Sequence, residues 1–95
     1  MKVHWTINAI SHLTNIYEYI GLNSPTYAKR TVDKITRRSE QIADQPYSGR
    51  KVPEYDVKDI RELIEKQYRI IYRIKPDQID VVAVIHGAQL MPDDI

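Results

Sequence analysis

The sequence predicts a single α+β domain in which an N-terminal strand and a helix hairpin precede three antiparallel strands, with both helices on one face of one sheet. Three observations predict it. Apolar residues alternate at the N-terminus, recur every three or four residues between about residues 9 and 43, and alternate again from about residue 57. A chain of 95 residues has room for one modest hydrophobic core, so residues 1–95 are expected to form one domain.

The first elements are a short strand and a helix. Val3, Trp5 and Ile7 alternate with polar residues, which is the period of a half-buried strand. Asn8 offers an N-cap for the helix, and Gly21 is a natural end. The apolar residues between them fall on one helical stripe: Ala9, Leu13, Ile16, Tyr17 and Ile20.

The second helix has the clearest start in the sequence. Ser24 suits the N-cap, and Pro25 suits the first helical position, where its missing N–H costs nothing. The pattern predicts a helix over about residues 25–43, ended by Pro46. Its apolar stripe consists of Ala28, Val32, Ile35, Ser39 and Ile42. Because only three or four residues join the two helices, they are expected to lie antiparallel.

Three antiparallel strands are predicted over residues 59–64, 68–74 and 79–86. A regular register for the last two, starting from Ile74 opposite Ile79, sets opposite charges across the strands and gathers the fully apolar pairs on one face. The expected pairs are Ile74–Ile79, Arg73–Asp80, Tyr72–Val81, Ile71–Val82, Ile70–Ala83, Arg69–Val84 and Tyr68–Ile85.

The sheet face away from the helices is expected to be open and to collect basic side chains. Arg69, Arg73 and His86 would converge there, and Arg61 would join them if the turn at residues 65–67 has three residues. Arginines on a sheet can simply form ion pairs with nearby acids, and here Arg73 could pair with Asp80 and Arg69 with Glu62. Alternatively, a guanidinium can hold a phosphate by two-point contact. Arg69 is favoured for this second role because no cross-strand acid is expected to neutralise it.

Composition excludes several classes of site. The chain has no cysteine, which excludes disulfides and thiolate metal sites and fits the cytoplasm. No histidine spacing typical of a metal site and no glycine-rich phosphate loop is present, and no apolar run is long enough for a membrane span. All 14 Lys and Arg residues lie in residues 1–75. The second helix carries five of them, either as a solvated face or as a footprint for nucleic acid or an acidic protein: Lys29, Arg30, Lys34, Arg37 and Arg38.

Several segments occur in an order that a known family shares: NSPTYAKR, DQPYSGRKVPE, IREL, YRIIYRI and VVAVIHGAQL. The most specific are P-x-x-G-R at Pro46, Gly49 and Arg50, the YRIIYRI strand and the His-Gly-Ala ending. Over about residues 3–92 the chain resembles the ParE/RelE superfamily of toxins from type II toxin–antitoxin systems. The resemblance implies a cytoplasmic toxin without a cofactor or metal, which arrests growth unless a cognate antitoxin protein binds it in a hetero-oligomer.

The resemblance implies one of two activities. RelE-like toxins are metal-independent endoribonucleases that cleave mRNA on the ribosome. For that branch, Arg69 matches the arginine at the phosphate, His86 matches a catalytic histidine of some members, and Glu54 lies in the loop that supplies a base. ParE-like toxins instead inhibit DNA gyrase, and basic residues would then contact an anion or the target: Arg50, Lys51, Arg61 and Arg73.

Departures from the ribonuclease pattern favour the ParE-like branch. The lysines that RelE carries before its YR strand fall at about Ile60 and Glu62, and an arginine common after the last strand is replaced by Gln89. A C-terminal catalytic tyrosine is also absent. The long helix hairpin points the same way. The expected function is therefore gyrase inhibition, with the mRNA endoribonuclease as the alternative and an inactive or repurposed domain of the same fold as a third hypothesis.

Overall fold

The computed structural model describes residues 1–87, 89 and 91 and has the predicted α+β architecture. Two short 3₁₀ turns follow the second helix, at Gln41–Ala43 and Pro46–Ser48. The sheet order is β1-β5-β4-β3-β2, in which β1 is parallel to β5 and the other neighbours are antiparallel. The elements are β1 (Lys2–Trp5), α1 (Ile7–Gly21), α2 (Pro25–Glu40), β2 (Arg50–Lys51), β3 (Ile60–Glu65), β4 (Tyr68–Ile74) and β5 (Gln78–His86).

The helix starts follow from side-chain capping. Ser24 caps α2 by accepting the Tyr27 N–H at 3.1 Å, and Pro25 is the first helical residue, as predicted. Helix α1 begins earlier than expected, because Thr6 rather than Asn8 is its N-cap, and the Thr6 hydroxyl accepts the Ala9 N–H at 3.2 Å. The strand before it is correspondingly shorter than the alternation suggested.

Strand β2 and the turn after β3 differ from expectation. Arg50 pairs with Glu62 and Lys51 with Arg61, so a segment predicted as loop adds a fourth antiparallel strand. A two-residue strand is too short to show an alternating pattern. The β3–β4 turn has two residues, which places Arg61 opposite Tyr72 on the helix-facing side. The alternative in which Arg61 joins Arg69 is therefore wrong.

The register between β4 and β5 is confirmed for its first three pairs, Ile74–Ile79, Arg73–Asp80 and Tyr72–Val81. A bulge then inserts one extra residue at Val82, and every later pair shifts by one. The observed pairs after the bulge are Ile71–Ala83, Ile70–Val84, Arg69–Ile85 and Tyr68–His86. The predicted pairs of these four β4 residues are wrong, because the bulge exchanges the two faces of the end of β5.

Both faces of the sheet are covered. The helix-facing core includes Ala9, Ile35 and Ile42 of the predicted stripes, all fully buried, with Leu13, Ile16 and Ile20 packed against it, whereas Tyr17 is 45% exposed and lies outside the core. The expectation of an open second face is wrong, because a second apolar cluster forms there: Val52, Ile60, Ile71, Ala83 and Ile85, with Tyr55, Val82 and Met91 packed against it. Within the described residues, no helix is long and apolar enough to cross a bilayer.

Candidate functional site

Arg69 lies at the centre of an ionic network on the second face. Its Nε donates to Glu62 Oε1 at 2.6 Å, and its Nη1 and Nη2 donate to the two oxygens of Glu54 at 2.8 Å each. The Arg69 side chain is only 10% exposed. The interpretation in which Arg69 pairs with Glu62 is confirmed, and the expectation that no cross-strand acid neutralises Arg69 is wrong, because the two-residue turn after β3 places Glu62 on the Arg69 face.

Arg50 extends this network to the edge of the sheet. Strand β2 sets Arg50 directly opposite Glu62, and Arg50 Nε donates to Glu62 Oε2 at 2.6 Å. The Glu62 side chain is completely buried, whereas the Arg50 side chain is 62% exposed. One buried carboxylate therefore bridges two guanidinium groups, which is the geometry that allows a charge to be buried.

Glu54 reaches the network from the turn after β2. Val52 is fully buried, and its carbonyl accepts the N–H groups of Tyr55 at 3.1 Å and Asp56 at 2.9 Å, which closes the turn that presents Glu54. The hydrogen bonds that Arg69 donates to Glu54 lower the pKa of the Glu54 carboxyl to about 2 and raise the pKa of Arg69. Such a carboxylate is a weak base at neutral pH.

The P-x-x-G-R segment is held to the sheet by Tyr72. The Tyr72 hydroxyl accepts the Gly49 N–H at 3.1 Å and donates to the Pro46 carbonyl at 2.6 Å. A Cβ on Gly49 would lie 2.5 Å from both the Glu62 carbonyl oxygen and the Tyr72 hydroxyl, so only glycine fits. The hydrogen bonds of Tyr72 fix the backbone just before Arg50, so that Arg50 lies within hydrogen-bonding distance of Glu62. The sequence analysis assigned Tyr72 only to a cross-strand pair with Val81 and missed this role.

The remaining predicted anion contacts do not converge on Arg69. Arg61 donates to the carbonyls of Lys58 at 2.9 Å and Gly49 at 3.1 Å, and its guanidinium lies 5.0 Å from the centre of the Tyr47 ring. Lys51 forms an exposed ion pair with Asp56 at 3.3 Å.

Arg73 stands opposite Asp80 as predicted. The Asp80 carboxylate also forms an ion pair with Lys75, whose Nζ lies 2.6 Å from Oδ2. Burial raises the pKa of Asp80, but the hydrogen bonds donated by Lys75 and Gln78 outweigh it and hold the pKa below its usual value. Arg61 and Arg73 therefore lie on opposite faces of the sheet.

His86 lies on the helix-facing side rather than on the Arg69 face, because the bulge in β5 sets it opposite Tyr68. The two rings meet edge to face at 5.9 Å, and the backbone N–H of His86 donates to Gln89 Oε1 at 3.0 Å. At the end of the sheet, however, His86, Arg69 and Glu54 all line one open cleft of about 390 Å³. Among the described residues, no group of three His, Asp or Glu side chains could hold a metal ion.

Comparison with known families matches this chain over residues 3–91 to the family described as ParE toxin of type II toxin–antitoxin system, parDE. Among curated proteins, it is similar to the Putative toxin Y4kP of Sinorhizobium fredii, with 33% identity over 93 residues that cover 96% of this chain and 93% of that protein. It is also similar to Toxin RelE2 of Caulobacter vibrioides, with 31% identity over 90 residues, 94% of this chain and 98% of that protein.

Two solved structures share the fold. The structure titled "Chromosomal ParDE TA system from P. aeruginosa" has a TM-score of 0.76 at 25% identity and covers 90% of this chain and 95% of that one. A YoeB/ParE toxin from Agrobacterium tumefaciens has a TM-score of 0.61 at 18% identity, covering 90% of this chain and 98% of that one, and this likeness concerns the fold alone.

Proposed function

The chain belongs to the ParE toxin family of type II toxin–antitoxin systems, and from that premise we propose that it inhibits DNA gyrase when it is free of its antitoxin. Membership in this family implies an antitoxin protein as its partner. One observation supports gyrase over mRNA as the target. Arg69, which a ribonuclease of this fold would need at the scissile phosphate, has its Nε, Nη1 and Nη2 donors hydrogen-bonded to two carboxylates.

The charges of this network cancel. Arg50 and Arg69 face Glu54 and Glu62, so the four side chains together carry no net charge at neutral pH. Cleavage of RNA requires donors that are aimed at the phosphate and strengthen as negative charge develops there. A substrate phosphate would first have to displace Glu54 from Arg69. The network is therefore better suited to holding the Glu54 turn on the sheet than to phosphate chemistry.

The test is a supercoiling assay in which purified toxin is titrated into gyrase, ATP and relaxed plasmid. We expect inhibition of supercoiling, and its loss when the cognate antitoxin is added before the toxin. Relaxation of supercoiled plasmid by a type I topoisomerase serves as the control, because it does not depend on gyrase. Unchanged supercoiling at a large molar excess of a folded toxin would reject gyrase as the target.

In cells, induced expression should separate the two activities. A gyrase inhibitor is expected to induce the DNA-damage response while mRNA stays intact. Rapid arrest of translation, with mRNA cut at codons occupied by ribosomes and no early DNA-damage response, would contradict the proposal and favour the endoribonuclease.

The endoribonuclease is the second candidate, because Arg69, His86 and Glu54 line the same cleft and Toxin RelE2 is 31% identical. His86→Gln is the sharper test of it, since His86 is exposed, whereas loss of Arg69 would leave buried Glu62 short of a partner. A ribonuclease should lose about 10²- to 10⁴-fold in cleavage rate. His4→Gln is the matched control, as that side chain is 55% exposed on β1. Cleavage that survives His86→Gln would remove His86 from the active site.

A further inference from the structure

Helix α2 carries a row of basic side chains that, unlike those of the Arg69 network, are not neutralised by acidic partners. Among the residues that the structure describes, no acidic group lies within ion-pairing distance of Arg30, Lys34 or Arg37. Arg30 and Arg37 are exposed and Lys34 is half-buried. We call these three residues the α2 row. Their charges are available to a partner.

The other two basic residues of the helix are used internally. Lys29 Nζ pairs with Asp33 Oδ2 at 3.0 Å. Arg38 donates to Gln41 Oε1 at 2.6 Å and to the Ile64 carbonyl at 3.2 Å, and its Nε lies 3.6 Å from Glu65 Oε1. Asp33 is the acid nearest in sequence to the row, and Lys29 already compensates its charge. The positive charge of the row is therefore not cancelled within the helix.

The geometry of the α2 row suits a regular array of phosphates. Positions i, i+4 and i+7 lie on one face of a helix, and the row is about 10 Å long at 1.5 Å per residue. Duplex DNA carries one phosphate per strand about every 3.4 Å along its axis, so the row spans about three phosphates of one strand. A shallow groove of about 260 Å³ runs beside the row between Thr26 and Arg37.

The composition of this surface separates DNA from other anionic partners. Helix α2 has one aromatic residue, Tyr27, which is 41% exposed and lines a small pocket with Arg30 and Lys34. A single ring at one end of the row does not provide the series of aromatic side chains on which successive unpaired bases stack. A protein partner would be expected to meet an apolar centre within the charged surface. The apolar residues of this stretch, Ala28, Val32 and Ile35, belong instead to the stripe that faces the core, where Ala28 and Ile35 are fully buried.

We propose that the α2 row binds the phosphate backbone of duplex DNA. The choice of DNA rests on the proposed function, because gyrase acts on duplex DNA and a toxin bound to gyrase would lie beside it. The binding itself needs no gyrase and no base contacts, so it is expected to be independent of sequence and strongly dependent on salt.

The experiment measures fluorescence anisotropy of a labelled 20-base-pair DNA duplex of arbitrary sequence, titrated with full-length toxin at several salt concentrations. Lys34→Gln/Arg37→Gln is expected to weaken binding about ten-fold or more at low salt. It should also reduce the slope of log K against log salt by about 1.8, or 0.9 for each lost phosphate contact. Glutamine preserves helix propensity, so the helix should persist.

Lys2→Gln/Lys58→Gln is the matched control, because it removes the same charge from exposed lysines outside α2. It is expected to change the affinity less than two-fold. The charge-preserving exchange Lys34→Arg/Arg37→Lys should bind as the wild type does. Circular dichroism of each variant establishes that the fold is retained.

Three outcomes would overturn the inference: no binding of duplex DNA by the wild type at low salt, equal weakening in the α2 and control variants, or tighter binding to a single strand or an RNA duplex of the same length. Inhibition of gyrase by the wild type is measured separately. A toxin that inhibits gyrase but does not bind DNA contradicts only this inference, whereas one that binds DNA but leaves supercoiling unchanged contradicts only the proposed function.

Discussion

Replacing the buried carboxylate of the ionic network, in the variant Glu62→Gln, is expected to lower the free energy of unfolding by about 3 kcal/mol. Glu62 is completely buried, and its two oxygens accept 2.6 Å hydrogen bonds from Arg69 and Arg50. Removing one partner of a buried ion pair costs about 3–5 kcal/mol, because the remaining charge stays desolvated. The lower figure applies here, since Arg69 keeps both bonds to Glu54 and the Arg50 side chain is 62% exposed to water.

Urea denaturation at pH 7 measures this loss, and Trp5 is a suitable fluorescence probe because it packs against the helix-facing core. For a domain of this size the melting temperature should fall by roughly 15 °C. Glu65→Gln is the matched control on the same strand, because its contact with Arg38 is long, at 3.6 Å, and it should cost no more than about 1 kcal/mol. Equal losses in the two variants would refute the view that the network stabilises the fold.

Two further predictions concern the Tyr72 hydroxyl and the Glu54 turn. Tyr72→Phe leaves the Gly49 N–H and the Pro46 carbonyl without their shared partner, and we expect a loss of about 2 kcal/mol in urea unfolding; a wild-type midpoint would show that the hydroxyl does not hold the segment. The pKa of Glu54 lies at about 2 in the folded protein against an ordinary 4.5, so its bond to Arg69 stabilises the fold above pH 4.5 and is lost as the pH falls towards 2. Unfolding measured over that range should depend less on pH in Glu54→Gln than in the wild type, and identical profiles would argue against the pair.

The order of helices and strands could be predicted, because each element carries a long apolar pattern that stays recognisable when its ends are misplaced by a few residues. The register at the end of β5 could not be predicted. Residues Val82 to Ile85 are all apolar, so a shift by one residue exchanges apolar side chains for apolar side chains on both faces. Register is strongly specified only where one face is polar. The bulge therefore leaves no trace in the pattern, yet it decides on which side His86 lies.

Arg69 and Glu54 were both recognised as candidate site residues, but their contact was not predictable. It depends on a turn that folds across the second face, and that turn is anchored by the burial of Val52 and closed at Asp56, which has a positive φ of 50°. Neither feature has a periodic signature. The length of the β3–β4 turn was likewise undetermined, because residues 65–67 include no glycine or asparagine to specify a turn type.

The distribution of charge then decides which layer of the fold can attract an anionic target. On the second face of the sheet, two arginines are neutralised by Glu54 and Glu62, so among the described residues that line the Arg69 cleft Lys66 supplies one net positive charge, against three on the α2 row. On the helix layer, the α2 row keeps its charge because, among the described residues, Asp33 and Glu65 pair with Lys29 and Arg38, and Glu40 is not within ion-pairing distance of the row. Long-range attraction depends on net rather than local charge. An anionic partner should therefore approach the α2 row first. An RNA substrate, in contrast, would have to enter the Arg69 cleft to be cleaved.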